Sequence, residues 1–169
     1  MLSFRSRLRG ELRTVHKGAA VWVAVFLVAV WLIVFFMIGS PRMLIRWISG
    51  RVAVPPTWLF TVMLCVFYAL CGLCAGAVLF SCRKVDETSK YRGAFFFSLA
   101  LMASYLWYAL FFGARFFLVA AVLSLAAMLT LMLSVFNFCR VLRLCSLLWG
   151  AVVWCGYCVT LSLLCFFFL

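Results

Sequence analysis

Acidic residues and histidine are almost absent from this sequence, which leaves little for acid–base or metal chemistry. Its 169 residues include 3 Asp and Glu and 1 His, and all four lie outside the long apolar runs. Acid–base catalysis and ion-coupled pumping need such side chains where the reaction or the transport takes place. We therefore predict that the chain is neither an enzyme nor an ion-coupled pump, and that it holds no metal or cofactor.

Charge of both signs is also scarce. Only 11% of the residues are charged and 70% are hydrophobic, with a mean hydropathy of +1.27. This is too little polar surface to coat a water-soluble domain. The net charge of +12 could suggest nucleic acid, but the basic residues lie between apolar runs, as in loops that face anionic headgroups. We predict membrane lipid as a partner and no nucleic acid.

Cysteine is plentiful, but its positions favour packing over chemistry. The pairs Cys71–Cys74 and Cys155–Cys158 have CxxC spacing, without a histidine or carboxylate beside them. Cysteine inside an apolar run acts as a small hydrophobic residue. Metal or redox use remains an alternative.

Five runs are long enough to cross a membrane as helices. They are approximately Ala19–Ile38, Trp58–Phe80, Ala94–Phe112, Phe116–Phe138 and Leu144–Leu169. We predict an all-α integral membrane protein, a five-transmembrane-helix bundle that forms a single domain over residues 18–169. Residues 1–17 suit a basic amphipathic helix on the inner leaflet, or else a disordered basic tail.

The basic residues predict the orientation of the bundle. Eleven of the 15 Lys and Arg lie on the side of the N-terminus and four on the other side. The positive-inside rule then places the N-terminus in the cytoplasm and the C-terminus outside. We expect a bacterial cytoplasmic membrane, with the mitochondrial outer membrane as the alternative.

Aromatic residues and two prolines are the features that point to a ligand. Several Trp and Tyr residues fall inside the spans, where their N–H and O–H groups need partners. Pro55 and Pro56 restrict the backbone before the second span and hold Trp58 at the membrane boundary. The preceding loop, Gly39–Thr57, is long enough to act as a lid. A pocket for a flat apolar ligand would account for these features.

Three motifs in order resemble the translocator protein / tryptophan-rich sensory protein (TspO/MBR) family. The first is Pro-Pro-x-Trp with a following Tyr and Gly, the second is Trp-x-x-x-Phe-Phe-Gly-Ala-Arg, and the third is Trp-x-x-aromatic-x-x-x-Leu. They fall on Pro55, Pro56, Trp58, Tyr68 and Gly72; on Trp107, Phe111, Phe112, Gly113, Ala114 and Arg115; and on Trp154, Tyr157 and Leu161. Ser162 stands where the third motif continues with Asn, and Ala100 and Ser104 stand where the family has Gln and Asn.

The resemblance implies a receptor or carrier, commonly a homodimer, whose pocket lies inside the bundle. Family ligands are tetrapyrroles, such as protoporphyrin IX and haem, and sterols. Light-dependent porphyrin breakdown has been proposed for bacterial members. By position, Trp58 and Trp154 face the ligand, and Pro55 and Pro56 are further expected ligand contacts. The remaining contacts carried over in this way are Ser104, Trp107 and Tyr157.

Two other classes of function stay open. A channel or transporter subunit needs a polar lumen, which the spans scarcely offer. A small assembly protein needs only packing surfaces, and small residues recur at Gly72-x3-Gly76, Ala100-x3-Ser104 and Ala120-x3-Ser124. Such spacing lets helices approach closely. We predict that a homodimer forms through the face that carries Gly72 and Gly76.

Overall fold

The computed structural model describes residues 16–38, 45, 56–81 and 87–168. Within these ranges, five helices are long and apolar enough to cross a membrane. They are α1 (Lys17–Ile38), α2 (Thr57–Leu79), α3 (Glu87–Tyr108), α4 (Phe117–Val141) and α5 (Leu148–Phe168). The predicted five-helix, all-α membrane bundle is confirmed.

The helices present many large apolar side chains to their surroundings. On α1, for example, Trp22, Phe36 and Met37 are 75%, 78% and 84% exposed. Large apolar side chains exposed to this extent would be unfavourable in water, whereas hydrocarbon tails solvate them well. The outer surface therefore agrees with lipid as the solvent of the bundle.

A very short turn joins α3 to α4. The end of α3 widens into a π-helical turn, Ala109–Ala114, and Arg115 follows with a φ of 59°. The N–H of Phe116 donates to the carbonyl of Leu110 at 3.1 Å, and α4 starts at the next residue. At the other end of the bundle, a 3₁₀ turn, Arg143–Leu147, connects α4 to α5.

The third helix starts earlier than its apolar run. The run begins at Ala94, whereas α3 begins at Glu87. The additional turns are polar and include exposed charged residues, so they extend the helix beyond the most apolar part of the bundle. Gly93 lies within them, and an added Cβ there would come 2.5 Å from the Phe138 ring of α4.

The prediction of a homodimer interface at Gly72 and Gly76 is wrong. Both glycines are buried against α1 of the same chain. An added Cβ on Gly72 would lie 2.4 Å from the Cα of Ala24, and one on Gly76 would lie 2.6 Å from the Cα of Ala20. Close backbone approach is the use that small residues serve in membranes, but here it joins two helices of one protomer.

Two predicted segments fall largely outside the described ranges. These are the basic segment 1–17, of which only the last two residues are described, and the Gly39–Thr57 loop. Within that loop, Ile45 is 5% exposed and belongs to the hydrophobic core of the bundle. The Ile45 side chain therefore packs on the helices.

Candidate functional site

Three aromatic rings from three helices meet in the centre of the bundle. Tyr68 of α2 stacks on Tyr105 of α3, with ring centroids 4.8 Å apart and planes inclined by 8°. The ring of Trp31, from α1, lies 6.1 Å from Tyr68 at an angle of 28°. Trp31 and Tyr68 are almost completely buried. The three rings thus form a continuous aromatic contact across α1, α2 and α3.

Hydroxyl groups fix the two tyrosines. The Oγ of Ser104 donates to the carbonyl of Leu101 at 2.9 Å. Serine has one hydroxyl hydrogen. The hydroxyl of Tyr68 is therefore the donor, and the Oγ of Ser104 the acceptor, in the 3.2 Å hydrogen bond between them. The hydroxyl of Tyr105 donates to the carbonyl of Leu27 in α1 at 3.0 Å. These bonds tie α2 to α3 and α3 to α1.

A second polar contact joins α3 to α5. The indole Nε1 of Trp107 donates to the Oγ of Ser162 at 3.0 Å. The Ser162 hydroxyl in turn donates to the carbonyl of Cys158 at 2.7 Å. Trp107 and Ser162 are both buried, so the chain satisfies the indole N–H internally.

A narrow cavity lies beside these hydrogen bonds, where α2, α3, α4 and α5 meet. Its wall includes the rings of Tyr68, Trp107 and Trp154 and the hydroxyl groups of Ser104 and Ser124. The centre of a water molecule can occupy about 20 Å³ of it, which is room for about one water. A flat polycyclic ligand therefore enters this site only if helices or side chains move apart.

Most of the predicted contacts on α3 and α5 come together at this cavity. Ser104, Trp107 and Trp154 line it. Tyr157 packs on Trp154, with ring centroids 5.3 Å apart. Trp107 belongs to the second motif, and Trp154 and Tyr157 belong to the third. The fold brings them together with Ser104, which lies one turn before Trp107 on α3.

At the start of α2, the residue that faces the bundle is Phe60, whereas Trp58 was expected to face the ligand. Trp58 is 68% exposed, while Phe60 is completely buried, with its ring 5.5 Å from Trp154. Residues two positions apart in an α-helix lie about 200° apart around its axis. Trp58 and Phe60 therefore point in nearly opposite directions, and only one of them can face the cavity. Pro56 precedes α2 in an extended conformation and Pro55 lies outside the described residues. Ligand contact by Trp58, Pro55 and Pro56 stays a prediction.

Phe60, Tyr68 and Ser162 are central to the site but were not among the predicted ligand contacts. For α2 a signal was present: Phe60, Leu64 and Phe67 recur with helical spacing and mark one face. All three are buried. That spacing identifies the inward face, whereas the motif alone drew attention to Trp58.

Three aromatic side chains near the site carry buried polar atoms without a hydrogen-bond partner among the described residues. They are the Nε1 of Trp31 and the hydroxyls of Tyr108 and Tyr157. Leaving such a group unpaired costs about 1–3 kcal/mol. Polar groups of this kind in a native protein call for an explanation, and one is a ligand that accepts their hydrogen bonds.

The wall of the cavity consists of aromatic and other apolar side chains with a few hydroxyl and thiol groups. The charged side chains on the described helices lie near the helix ends or in connecting turns, and none of them lines the cavity. Within the described ranges there is also no group of three or more His, Cys, Asp or Glu placed to hold a metal ion. The arrangement offers stacking surfaces and a few hydroxyl groups.

Comparison with known protein families gives a match that covers most of the chain. The family model described as the TspO/MBR family matches residues 51–167 of the chain. This range takes in α2, α3, α4 and nearly all of α5, and therefore every residue that lines the cavity. No curated protein and no solved structure matches the chain.

Proposed function

The chain belongs to the TspO/MBR family, and we propose that it binds a flat hydrophobic ligand within its helix bundle. It is a multi-pass integral membrane protein, and its family implies ligand binding or transport in membranes. The ligand class we propose is a tetrapyrrole, such as protoporphyrin IX or haem, or a sterol. We place it against Trp107, Trp154 and Tyr157.

The observation that carries this proposal is the aromatic cavity between four helices. Its lining residues include aromatic residues and serines, so an apolar ring system could stack while its polar substituents find partners. Tyr157 adds a buried hydroxyl with no partner in the described chain, next to Trp154. A ligand carboxylate or hydroxyl would accept its hydrogen bond.

The packing of the helices suggests how the cavity widens. α2 packs chiefly on α1, while α4 packs chiefly on α3 and α5. The cavity lies along the boundary between these two groups. Separation at this boundary would admit a ligand and leave the more extensive interfaces intact. The Tyr68–Ser104 hydrogen bond crosses the boundary and would open in that motion.

Apolar burial determines the affinity that we expect, and the few polar groups determine the selectivity. Burial of apolar surface contributes roughly 25 cal/mol per Å², part of which is offset by widening the cavity and ordering the ligand. We expect micromolar binding. Ser104 already uses its hydrogen on Leu101, and Ala100 offers no polar group. Ligand orientation should therefore be loose and selectivity between tetrapyrroles modest.

The role, membrane, orientation and oligomeric state of the protein are also part of the proposal. We propose a binding, sensing or transport role without catalysis, in a bacterial cytoplasmic membrane with the N-terminus in the cytoplasm. A homodimer remains part of the proposal, through a face other than Gly72 and Gly76. Of the three small-residue faces that could support an assembly protein, the one with Gly72 and Gly76 is occupied by α1 of the same chain.

A titration of the purified protein tests this function. The absorbance of protoporphyrin IX should shift on binding and reach saturation at micromolar concentrations. A sterol should be titrated in parallel for comparison. Trp154→Leu should weaken binding at least several-fold. Trp149→Leu is the matched control, because that ring is partly exposed and packs on Phe136 outside the cavity. Equal affinity in the two variants would contradict the proposed site.

A further inference from the structure

A second concave surface lies at the other end of α3, away from the aromatic cavity. Tyr91, Arg92, Phe95 and Phe96 of α3 and Asn137 of α4 line an open groove of about 550 Å³. It lies near the first residues of α3 and the last residues of α4, at the end of the bundle that carries the excess of basic residues. The proposed ligand site does not include any of these residues.

Tight packing between α3 and α4 gives the groove a fixed floor. Gly93 brings the two helices together, since an added Cβ would lie 3.2 Å from the Cβ of Asn137. The buried Oγ of Ser134 also donates to the carbonyl of Gly93 at 3.0 Å. The groove is therefore bounded by a well-packed helix pair rather than by a loose surface.

The groove changes from polar to apolar along the helix axis. Phe95 and Phe96 follow Tyr91 and Arg92 by four residues, which is about 6 Å along an α-helix. Arg92 and Tyr91 are exposed, and Phe95 is 63% exposed. The cation and the phenol thus lie nearer the membrane surface, and the two phenyl rings lie deeper. A phospholipid has the same order, from its phosphate to its acyl chains.

Charge and hydrogen-bonding groups favour an anionic headgroup. The guanidinium group of Arg92 matches a phosphate through paired hydrogen bonds. Arg140 adds positive charge in the last turn of α4, one turn beyond Asn137. The amide nitrogen of Asn137 donates to the carbonyl of Leu133 at 2.7 Å. Its amide oxygen is thereby directed to accept from a donor such as a headgroup hydroxyl.

We propose that this groove binds an anionic glycerophospholipid, with its phosphate on Arg92 and an acyl chain along Phe95 and Phe96. Phosphatidylglycerol is the suitable probe, because its glycerol headgroup supplies the hydroxyl donor. The proposal does not depend on tetrapyrrole binding. It applies to the leaflet that faces the basic end of the bundle.

Native mass spectrometry of the whole protein tests the proposal, with phosphatidylglycerol and phosphatidylcholine offered in equal amounts. The wild type should retain phosphatidylglycerol with a preference of about tenfold. Both lipids carry the phosphate, but only phosphatidylcholine adds a quaternary ammonium, which Arg92 and Arg140 repel, and only phosphatidylglycerol supplies hydroxyl donors. Arg92→Gln should reduce that preference to near one. Arg115→Gln, at an exposed arginine in the turn after α3 at the opposite end, should leave it unchanged.

Two further arms separate a lipid site from a phosphate site. Phe95→Ala with Phe96→Ala should also lower lipid retention, because the acyl chain loses its contact. Millimolar soluble glycerophosphate should displace little phosphatidylglycerol. The proposal fails if Arg92→Gln and Arg115→Gln retain the lipid equally, if the wild type shows no preference, or if glycerophosphate competes fully.

Discussion

The indole N–H of Trp107 and the hydroxyl of Ser162 form a 3.0 Å hydrogen bond between α3 and α5. Trp107 belongs to the second motif on which the family resemblance rests, and Ser162 directly follows Leu161 of the third. The hydrogen bond therefore joins the segments that carry these two motifs. Ser162 stands where the resemblance expects asparagine. Its hydroxyl accepts from Trp107 and donates to Cys158, so serine provides both an acceptor and a donor here.

This contact predicts the effect of removing the hydroxyl. Ser162→Ala should leave the buried indole N–H of Trp107 without its acceptor, which costs about 1–3 kcal/mol. The melting temperature in detergent, followed by circular dichroism, should fall. Ser162→Asn, which restores the residue expected from the family, should recover part of the loss.

Thr160 provides the matched control for this prediction. It lies on α5, is exposed, and donates only to the carbonyl of Tyr157 in its own helix, at 2.8 Å. Thr160→Ala should change the melting temperature little. The account of the Trp107 contact is wrong if Ser162→Ala and Thr160→Ala destabilise the protein to the same small extent.

The packing of α1 on α2 gives a second prediction. Gly72→Ala places a methyl group against the backbone of Ala24, which cannot move aside as a flexible side chain could. We expect a large fall in melting temperature and in the yield of monodisperse protein. Gly150→Ala is the control, because its added Cβ would meet nothing within 4 Å apart from its chain neighbours and the nearby backbone of its own helix. A Gly72→Ala protein as stable as the Gly150→Ala protein would contradict the described helix contact.

Hydropathy alone predicted the five helices well, because each span has to satisfy its own backbone in hydrocarbon. It missed the polar first turns of α3, since Glu87 and its neighbours carry no apolar signal although they are helical. The partner of Gly72 and Gly76 could not be predicted from spacing. A small-residue stripe suits a helix of the same chain and one of a second chain equally.

The candidate site could be predicted only in part, because motifs give residue types but not how the helices pack. Motifs identified Ser104, Trp107 and Trp154, which do line one cavity. They did not show that Phe60, rather than Trp58, packs on Trp154, because a motif records residue types and not the direction of a helix face. The width of the cavity depends on how all four helices pack, which no local pattern contains.

The orientation in the membrane is a third prediction, which follows from the uneven distribution of basic residues. In a background without native cysteines, a cysteine at Ser146, in the exposed turn before α5, should be protected from an impermeant thiol reagent in intact cells. A cysteine at Gly113, in the exposed turn after α3, should react. The opposite labelling pattern would reverse the assignment.

The central claim, that the ligand binds in the aromatic cavity, is tested most directly by filling that cavity. Ala127 lines it and is 2% exposed, whereas the neighbouring Ala126 faces outward on the same helix. Ala127→Leu adds bulk to the cavity and keeps every aromatic ring. In a titration with protoporphyrin IX followed by ligand absorbance, Ala127→Leu should lose at least about tenfold in affinity, which corresponds to 1.4 kcal/mol. Ala126→Leu should bind as the wild type does. If both variants are helical by circular dichroism and bind protoporphyrin IX equally well, the ligand does not occupy this cavity.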